Sequence, residues 1–269
     1  MRRLKFCLTA SVASLLVLGM SLGNAWCDEV SLTPSHDATL IEVKPDNNNG
    51  GQGWVNAGTT QNDTRNRGLF QWDLTGVIPA DAIILSACVT FEVIKDPGCG
   101  IANSSFSLYR MLQSWGEGNK VALDNGGGQG APATAGEVTW NNRFFGGAKW
   151  AAPGGLAGVD FALSPSASQN IYDVGRSPYN FPSGSELVAD VQFWVSHPES
   201  NFGWMLMTDD EETPFTARQF ASREDPLGRG PILTVDFEVV PEPATLWLWS
   251  LGLGALGLIR CARLGARVS

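Results

Sequence analysis

Glu117 and Glu137 lie in two short aromatic stretches, Trp115-Gly116-Glu117-Gly118 and Glu137-Val138-Thr139-Trp140. Two carboxylates facing each other across a glycosidic bond are the machinery of glycoside cleavage, one as acid and the other as base or nucleophile. A chain with 27 Asp and Glu supplies such pairs by chance, and the other signs of catalysis are missing. His36 stands beside Asp37, but no Gly-x-Ser-x-Gly elbow within residues 26–240 offers a nucleophile. The second histidine, in His197-Pro198, reads as a helix stop. Within residues 26–240 there is neither a Cys/His spacing for zinc nor a Gly-x-Gly-x-x-Gly loop for phosphate. No catalytic residue is assigned, and the chain is read as non-enzymatic. A polysaccharide-degrading enzyme, glycoside hydrolase or lyase, is the lesser alternative.

Binding chemistry is better represented. Asp209-Asp210-Glu211-Glu212 is a dense acidic run, and Asp37 and Asp173 are further oxygen donors. Calcium takes six to eight oxygens, many of them carboxylate. Asp37, Asp209 and Asp210 are therefore the candidate ligands of a structural Ca2+, the plain alternative being a solvated acidic turn. No spaced Asp-x-Asp-x-Asp-Gly loop is present. Of the 10 tryptophans, Trp72, Trp115, Trp140, Trp194 and Trp204 fall in apolar alternation or on an apolar stripe and are expected in the core. Trp54 and Trp150 flank glycine-rich loops, where an indole can stack on the C–H face of a sugar; they are the candidate ligand-binding residues. Arg67, Arg110 and Arg223 are expected to pair with carboxylates such as Asp73 or Glu224. The alternative for them is a bidentate clamp on an acidic sugar.

These groups need a scaffold, and the sequence describes an all-β one. Short β-branched and aromatic runs are broken by Gly, Pro and Asn, the pattern of a sandwich. Strands are expected at 39–43, 53–57, 68–73, 83–94, 106–111, 136–140, 159–162, 203–207, 218–222 and 232–239. Phe70 and Trp72 share one face of their strand and Leu69 and Gln71 the other, as in a half-buried antiparallel strand. Residues 46–53 (DNNNGGQG) and 124–130 (DNGGGQG) read as flexible loops. One short helix is expected over 185–195, with Leu187, Val188, Val191, Trp194 and Val195 as its apolar stripe and Ser183 or Ser185 as its cap. With no internal repeat and no linker, residues 26–240 read as one domain. It carries 12 Lys and Arg against 26 Asp and Glu, a net charge of −14. Such a surface repels nucleic acid and, without a bridging cation, anionic lipids and glycans.

Both ends read as addresses. Residues 1–25 open with Arg2, Arg3 and Lys5, continue through an apolar stretch and close on Gly23 and Ala25, the pattern of a secretory signal peptide cut after Ala25 by signal peptidase. An exported chain meets an oxidising compartment, so Cys88 and Cys99 are the expected disulfide, with free thiols as the alternative. Cys27 is left over beside a flexible mature terminus. In residues 241–269, Pro241-Glu242-Pro243 precedes the 16 uncharged residues 244–259 and then Arg260, Arg263 and Arg267. That apolar helix is short for a membrane span, which needs about 20 residues. Together the three parts resemble the PEP-CTERM sorting signal of bacteria. The resemblance implies an exosortase partner, cleavage near Pro241-Glu242-Pro243 and transient membrane association. It also implies delivery to the cell surface or an extracellular polysaccharide matrix.

A second resemblance spans most of residues 30–240. Asp37-Ala38-Thr39, the stretch Arg67-Gly68-Leu69-Phe70-Gln71-Trp72-Asp73-Leu74, Trp115-Gly116-Glu117-Gly118, Val138-Thr139-Trp140-Asn141, Asn201-Phe202-Gly203-Trp204 and Ala221-Ser222-Arg223-Glu224 occur in the order of a DNRLRE domain. It implies a jelly-roll-like antiparallel β-sandwich of a secreted protein, with carbohydrate-binding modules among its relatives and a structural role for Glu117. The long segments 119–136 and 144–182 depart from the pattern. The resulting expectation is an exported carbohydrate-binding module with a polysaccharide partner. A non-catalytic structural or adhesive matrix protein is the alternative.

Overall fold

Alternation of apolar and polar side chains at period two becomes, among the described residues, 14 strands and one α-helix. The structure, a computed structural model, describes residues 26–122 and 128–239. The strands are β1 (Trp26–Leu32), β2 (His36–Ile41), β3 (Asn47–Asn48), β4 (Trp54–Thr59), β5 (Arg65–Gln71), β6 (Ala82–Phe91), β7 (Val93–Lys95), β8 (Ser104–Arg110), β9 (Ala131–Pro132), β10 (Ala167–Ile171), β11 (Tyr179–Phe181), β12 (Trp204–Thr208), β13 (Arg218–Ala221) and β14 (Ile232–Val239); the helix is α1 (Ser185–Ser196). All pairings between these strands are antiparallel. One sheet runs β1-β14-β6-β11; a larger one runs β10-β8-β12-β5-β4-β13-β7, with β2 also laid along β5; β3 and β9 make a small ribbon. The fold is an antiparallel β-sandwich.

The two sheets enclose the main core. Ile84, Ala87, Val89 and Phe91 of β6 and Leu233, Val235 and Phe237 of β14 point inward from the smaller sheet, meeting Phe70, Phe106, Trp204 and Leu206 from the larger. Rings meet edge to face, Phe91 lying 4.9 Å from Phe70 and 5.8 Å from Phe220 between centroids. Helix α1 lays Leu187, Val191, Trp194 and Val195 into the same core, with Trp194 standing 4.4 Å from Trp204. Removing these large rings from water is the main source of stability here. The helix starts without the expected serine cap. Its N-cap is Gly184, with no side-chain bond, and the Ser183 hydroxyl accepts the Ala87 N–H at 3.1 Å instead.

The larger sheet is covered on its other face as well. Leu69, Met205 and Met207 alternate with the inward residues of β5 and β12 and meet Trp115, Val138, Trp140, Trp150 and Phe161 in a second buried cluster. The latter five come from the long segment between β8 and β10. For this reason 136–140 and 159–162, expected as strands, are not strands. Their side chains cap a sheet while their backbone bonds to neighbouring turns, Val138 N–H donating to Gly116 C=O at 2.6 Å and Thr139 N–H to Asn142 C=O at 2.8 Å. Residues 46–53 are likewise no flexible loop. Asn48, Asn49 and Gln52 are buried, and the Asn48 amide donates to the carbonyls of Glu117 (2.6 Å) and Val138 (2.9 Å).

Cys27, Cys88 and Cys99 are free thiols, so the expected Cys88–Cys99 bridge is not formed. On β6 Ala87 and Val89 face the core, which turns Cys88 to the outside of the smaller sheet, opposite Thr234. Cys99 is exposed in the loop after β7, a strand of the larger sheet. Cys27 is held within β1, opposite Glu238, rather than at a loose terminus.

Candidate functional site

Asp37 is the one expected metal ligand that the fold brings to other acids. It stands near the start of β2, opposite Phe70 of β5. Glu117 arrives from the segment after β8, and Arg223 and Glu224 follow directly on β13. Each carboxylate brings an oxygen within 4.8 Å of the other two. Backbone groups do part of the aiming: the Asp37 N–H donates to Glu117 Oε1 (2.7 Å), and the Arg223 N–H donates to Asp37 Oδ2 (2.7 Å). The Arg223 guanidinium closes the cluster, 2.8 Å from Glu117 Oε1 and 2.6 Å from Glu224 Oε1. Asp37 is 1% exposed. Burial pushes its carboxyl well above the usual carboxylate range, and the Arg223 N–H only partly offsets this. Burial also raises Glu224, whose Oε2 is enclosed without a hydrogen-bond partner. Three acids around one guanidinium leave an excess of negative charge, which a bound proton or a divalent cation would balance. Asp37, Glu117 and Glu224 are the residues that could hold the cation.

Asp209 and Asp210 do not join this cluster. β12 sets Trp204 opposite Phe70, so Asp209 lies five residues, about 16 Å, further along the sheet. Asp210 closes its own turn, accepting the Glu212 N–H and the Thr213 hydroxyl. The arginines find carboxylates, with partners partly different from those expected. Arg67 forks onto Glu211 (2.8 and 2.6 Å), Arg110 reaches Asp190 at 3.0 Å, and Arg223 takes Glu117 with the expected Glu224. Asp73 instead accepts the Thr75 N–H.

The aromatic candidates separate. Trp150 is 5% exposed, packed in the second cluster, with its indole N–H donating to Thr139 C=O at 2.9 Å. No open ring face is left for a sugar, which corrects the expectation. Trp54 is half-buried at the start of β4, and its indole nitrogen has no hydrogen-bond partner among the described residues. Glu137 accepts the Thr134 N–H (2.7 Å) and pairs with Lys120 (3.2 Å). Against partial burial, these two partners hold its carboxyl below the ordinary range. Ala25, Pro241, Glu242, Pro243, Arg260, Arg263 and Arg267 lie outside the described residues.

A different set of polar groups converges where β4 turns into β5. Asn56, Gln61, Asn62, Asn66, Gln129 and Gln219 line a cleft of ≈ 360 Å³. Sequence reasoning missed it, although one signal was present: residues 59–66 read TTQNDTRN, eight polar positions in a row. Such a run reads as an ordinary hairpin turn unless the strands around it are known to bring in other amides.

The PEP-CTERM protein-sorting motif matches residues 239–263. The match begins on Val239, the last residue of β14, so the sandwich leads into it directly. It implies export, processing by an exosortase and a membrane-associated state at the cell surface. No curated protein matches the chain. Among the described residues, no helix is long and apolar enough to cross a membrane.

Proposed function

We propose that this protein is an exported cell-surface β-sandwich, sorted by an exosortase, that binds polysaccharide without cleaving it. One observation carries the reading. A domain that runs straight into a sorting motif presents a cleft walled by side-chain amides. Amides offer a donor and an acceptor side by side, the pairing that sugar hydroxyls need. The two candidate catalytic acids, Glu117 and Glu137, support a binding role. A general acid must hold a proton near neutral pH, whereas Glu137 is held ionised by its partners, and Glu117 is committed to Arg223 and the Asp37 N–H. The motif order resembling a DNRLRE domain agrees with this. Asp37, Glu117 and the Arg223-Glu224 pair, distant in sequence, meet in one cluster.

The test incubates the purified protein with insoluble polysaccharides and measures depletion from solution and release of reducing ends. Depletion without release is expected. Release that disappears in Glu117→Gln or Glu137→Gln would make the protein an enzyme. No depletion by any polymer would favour a structural matrix protein. In cells, replacing Pro241-Glu242-Pro243 by alanines should leave the chain longer and membrane-bound. An unchanged product size would remove the exosortase from the account.

A further inference from the structure

Building on the carbohydrate-binding reading, we infer that the cleft at the β4–β5 turn is the binding site and that its ligand is an uncharged glycan gripped by side-chain amides. Asn56 and Asn66 are only 7% and 8% exposed. Among the described residues their side-chain amides have no hydrogen-bond partner; the bond that Asn56 does make, to the Thr39 hydroxyl at 2.9 Å, comes from its backbone N–H. Neither amide is among the fully enclosed side-chain atoms that lack a partner; both stay accessible through the cleft, so a ligand that displaces water there must replace its hydrogen bonds. Here both amides line the cleft, so a ligand entering it meets donors and acceptors that the fold has not used. The side-chain amides of Gln61, Asn62 and Gln129 are also unpartnered among the described residues and extend the row toward solvent.

The two inner amides, Asn56 and Asn66, are held in place. Asn66 is locked between two strands, opposite Ile41 of β2 and Gly58 of β4. Gly128 presses on Asn56 from above with φ +70, and a Cβ there would collide with the Asn56 amide nitrogen. Amides fixed before binding lose little freedom when a ligand arrives.

Charge decides the ligand class. Arg218 lines the cleft, but its guanidinium is turned onto the carbonyls of Tyr172 (2.7 Å), Thr216 (2.8 Å) and Ala102 (3.0 Å). Both Asp96 oxygens are taken by backbone, from the Gly98 N–H (3.0 Å) and the Val174 N–H (3.1 Å). Among the described lining residues Lys95 alone remains at the rim, on a chain of net charge −9. A polyanion would be repelled by the whole and offered one cation by the site. Among the described residues no aromatic ring lines the cleft, so recognition rests on hydrogen bonds. Affinity per site is then modest, insensitive to salt, and useful on a surface that displays many copies.

The test is a panel of uncharged polymers (glucans, mannans, xylans, galactans) and acidic ones (alginate, polygalacturonate), presented to the purified full chain. Wild type is compared with Asn66→Asp and with the double variant Gln61→Ala, Asn62→Ala, whose sites are exposed turn positions. The expected result is binding to an uncharged polymer, equal at low and high salt, and about tenfold weaker in each variant at unchanged melting temperature. Equal binding by the variants would move the site elsewhere, overturning this inference while leaving the carbohydrate-binding reading intact. Binding confined to acidic polymers and lost at high salt would overturn the ligand class. Binding to no polymer by a folded chain would overturn both.

Discussion

Asp37 titrates in the direction opposite to most surface acids. Burial raises its folded pKa above the ordinary 3.8, so the folded chain holds this proton more tightly than the unfolded chain does. The resulting stability is fully present below 3.8 and is lost as pH rises through the folded value. Asp37→Asn removes the charge yet keeps an oxygen for the Arg223 N–H. The variant should match wild type in acid and melt higher at neutral pH, which thermal melts at the two pH values will show. A variant that melts lower at neutral pH, beside a wild type destabilised by chelation, would place a divalent cation among the three acids. Arg223 carries the compensating charge, and its side chain is 38% exposed. Arg223→Ala should therefore cost a modest amount, about 1–2 kcal/mol by chemical denaturation. The sequence made Asp37 legible as a ligand type and misplaced its company. Asp209 and Asp210 attract notice because they are adjacent. Glu117, 80 residues from Asp37, is brought in by the folding of the segment after β8, which no local pattern announces.

At the scale of elements, the long segment between β8 and β10 is a cover for the larger sheet. Trp150 is its clearest test, since it was read as a surface platform and lies in a core. Trp150→Ala should cost about 3–5 kcal/mol in denaturant unfolding, because it opens a cavity and strands the Thr139 carbonyl. A loss under about 1 kcal/mol would mean that the cover is loosely packed. β5, β6, β8, β12, β13 and β14 were legible because each combines alternation with flanking turn residues. Residues 136–140 and 159–162 misled because alternation reports a buried face, not a neighbouring strand. β1 was hidden for the converse reason: Val30 and Leu32 pack against the main core, but the acids Asp28 and Glu29 precede them and break any apolar alternation.

For the whole molecule, β1 matters more than its thin apolar face suggests. It pairs with β14 at seven consecutive positions, from Trp26 opposite Val239 to Leu32 opposite Leu233. Deleting residues 26–32 leaves β14 as an open edge, which invites pairing between molecules. Size-exclusion chromatography with light scattering should then show larger species than the intact chain forms at the same concentration. The same pairing also sets a clock. A chain threaded through a membrane channel emerges from its N-terminus, so β1 appears first and waits, partnerless, for a strand about 200 residues behind it. The seam closes only when β14 has come through, and the next residues to follow are those of the sorting motif. Completion of the fold and arrival of the sorting signal are thus nearly one event. A molecule stalled in transit therefore shows a bare first strand while its sorting motif has yet to emerge.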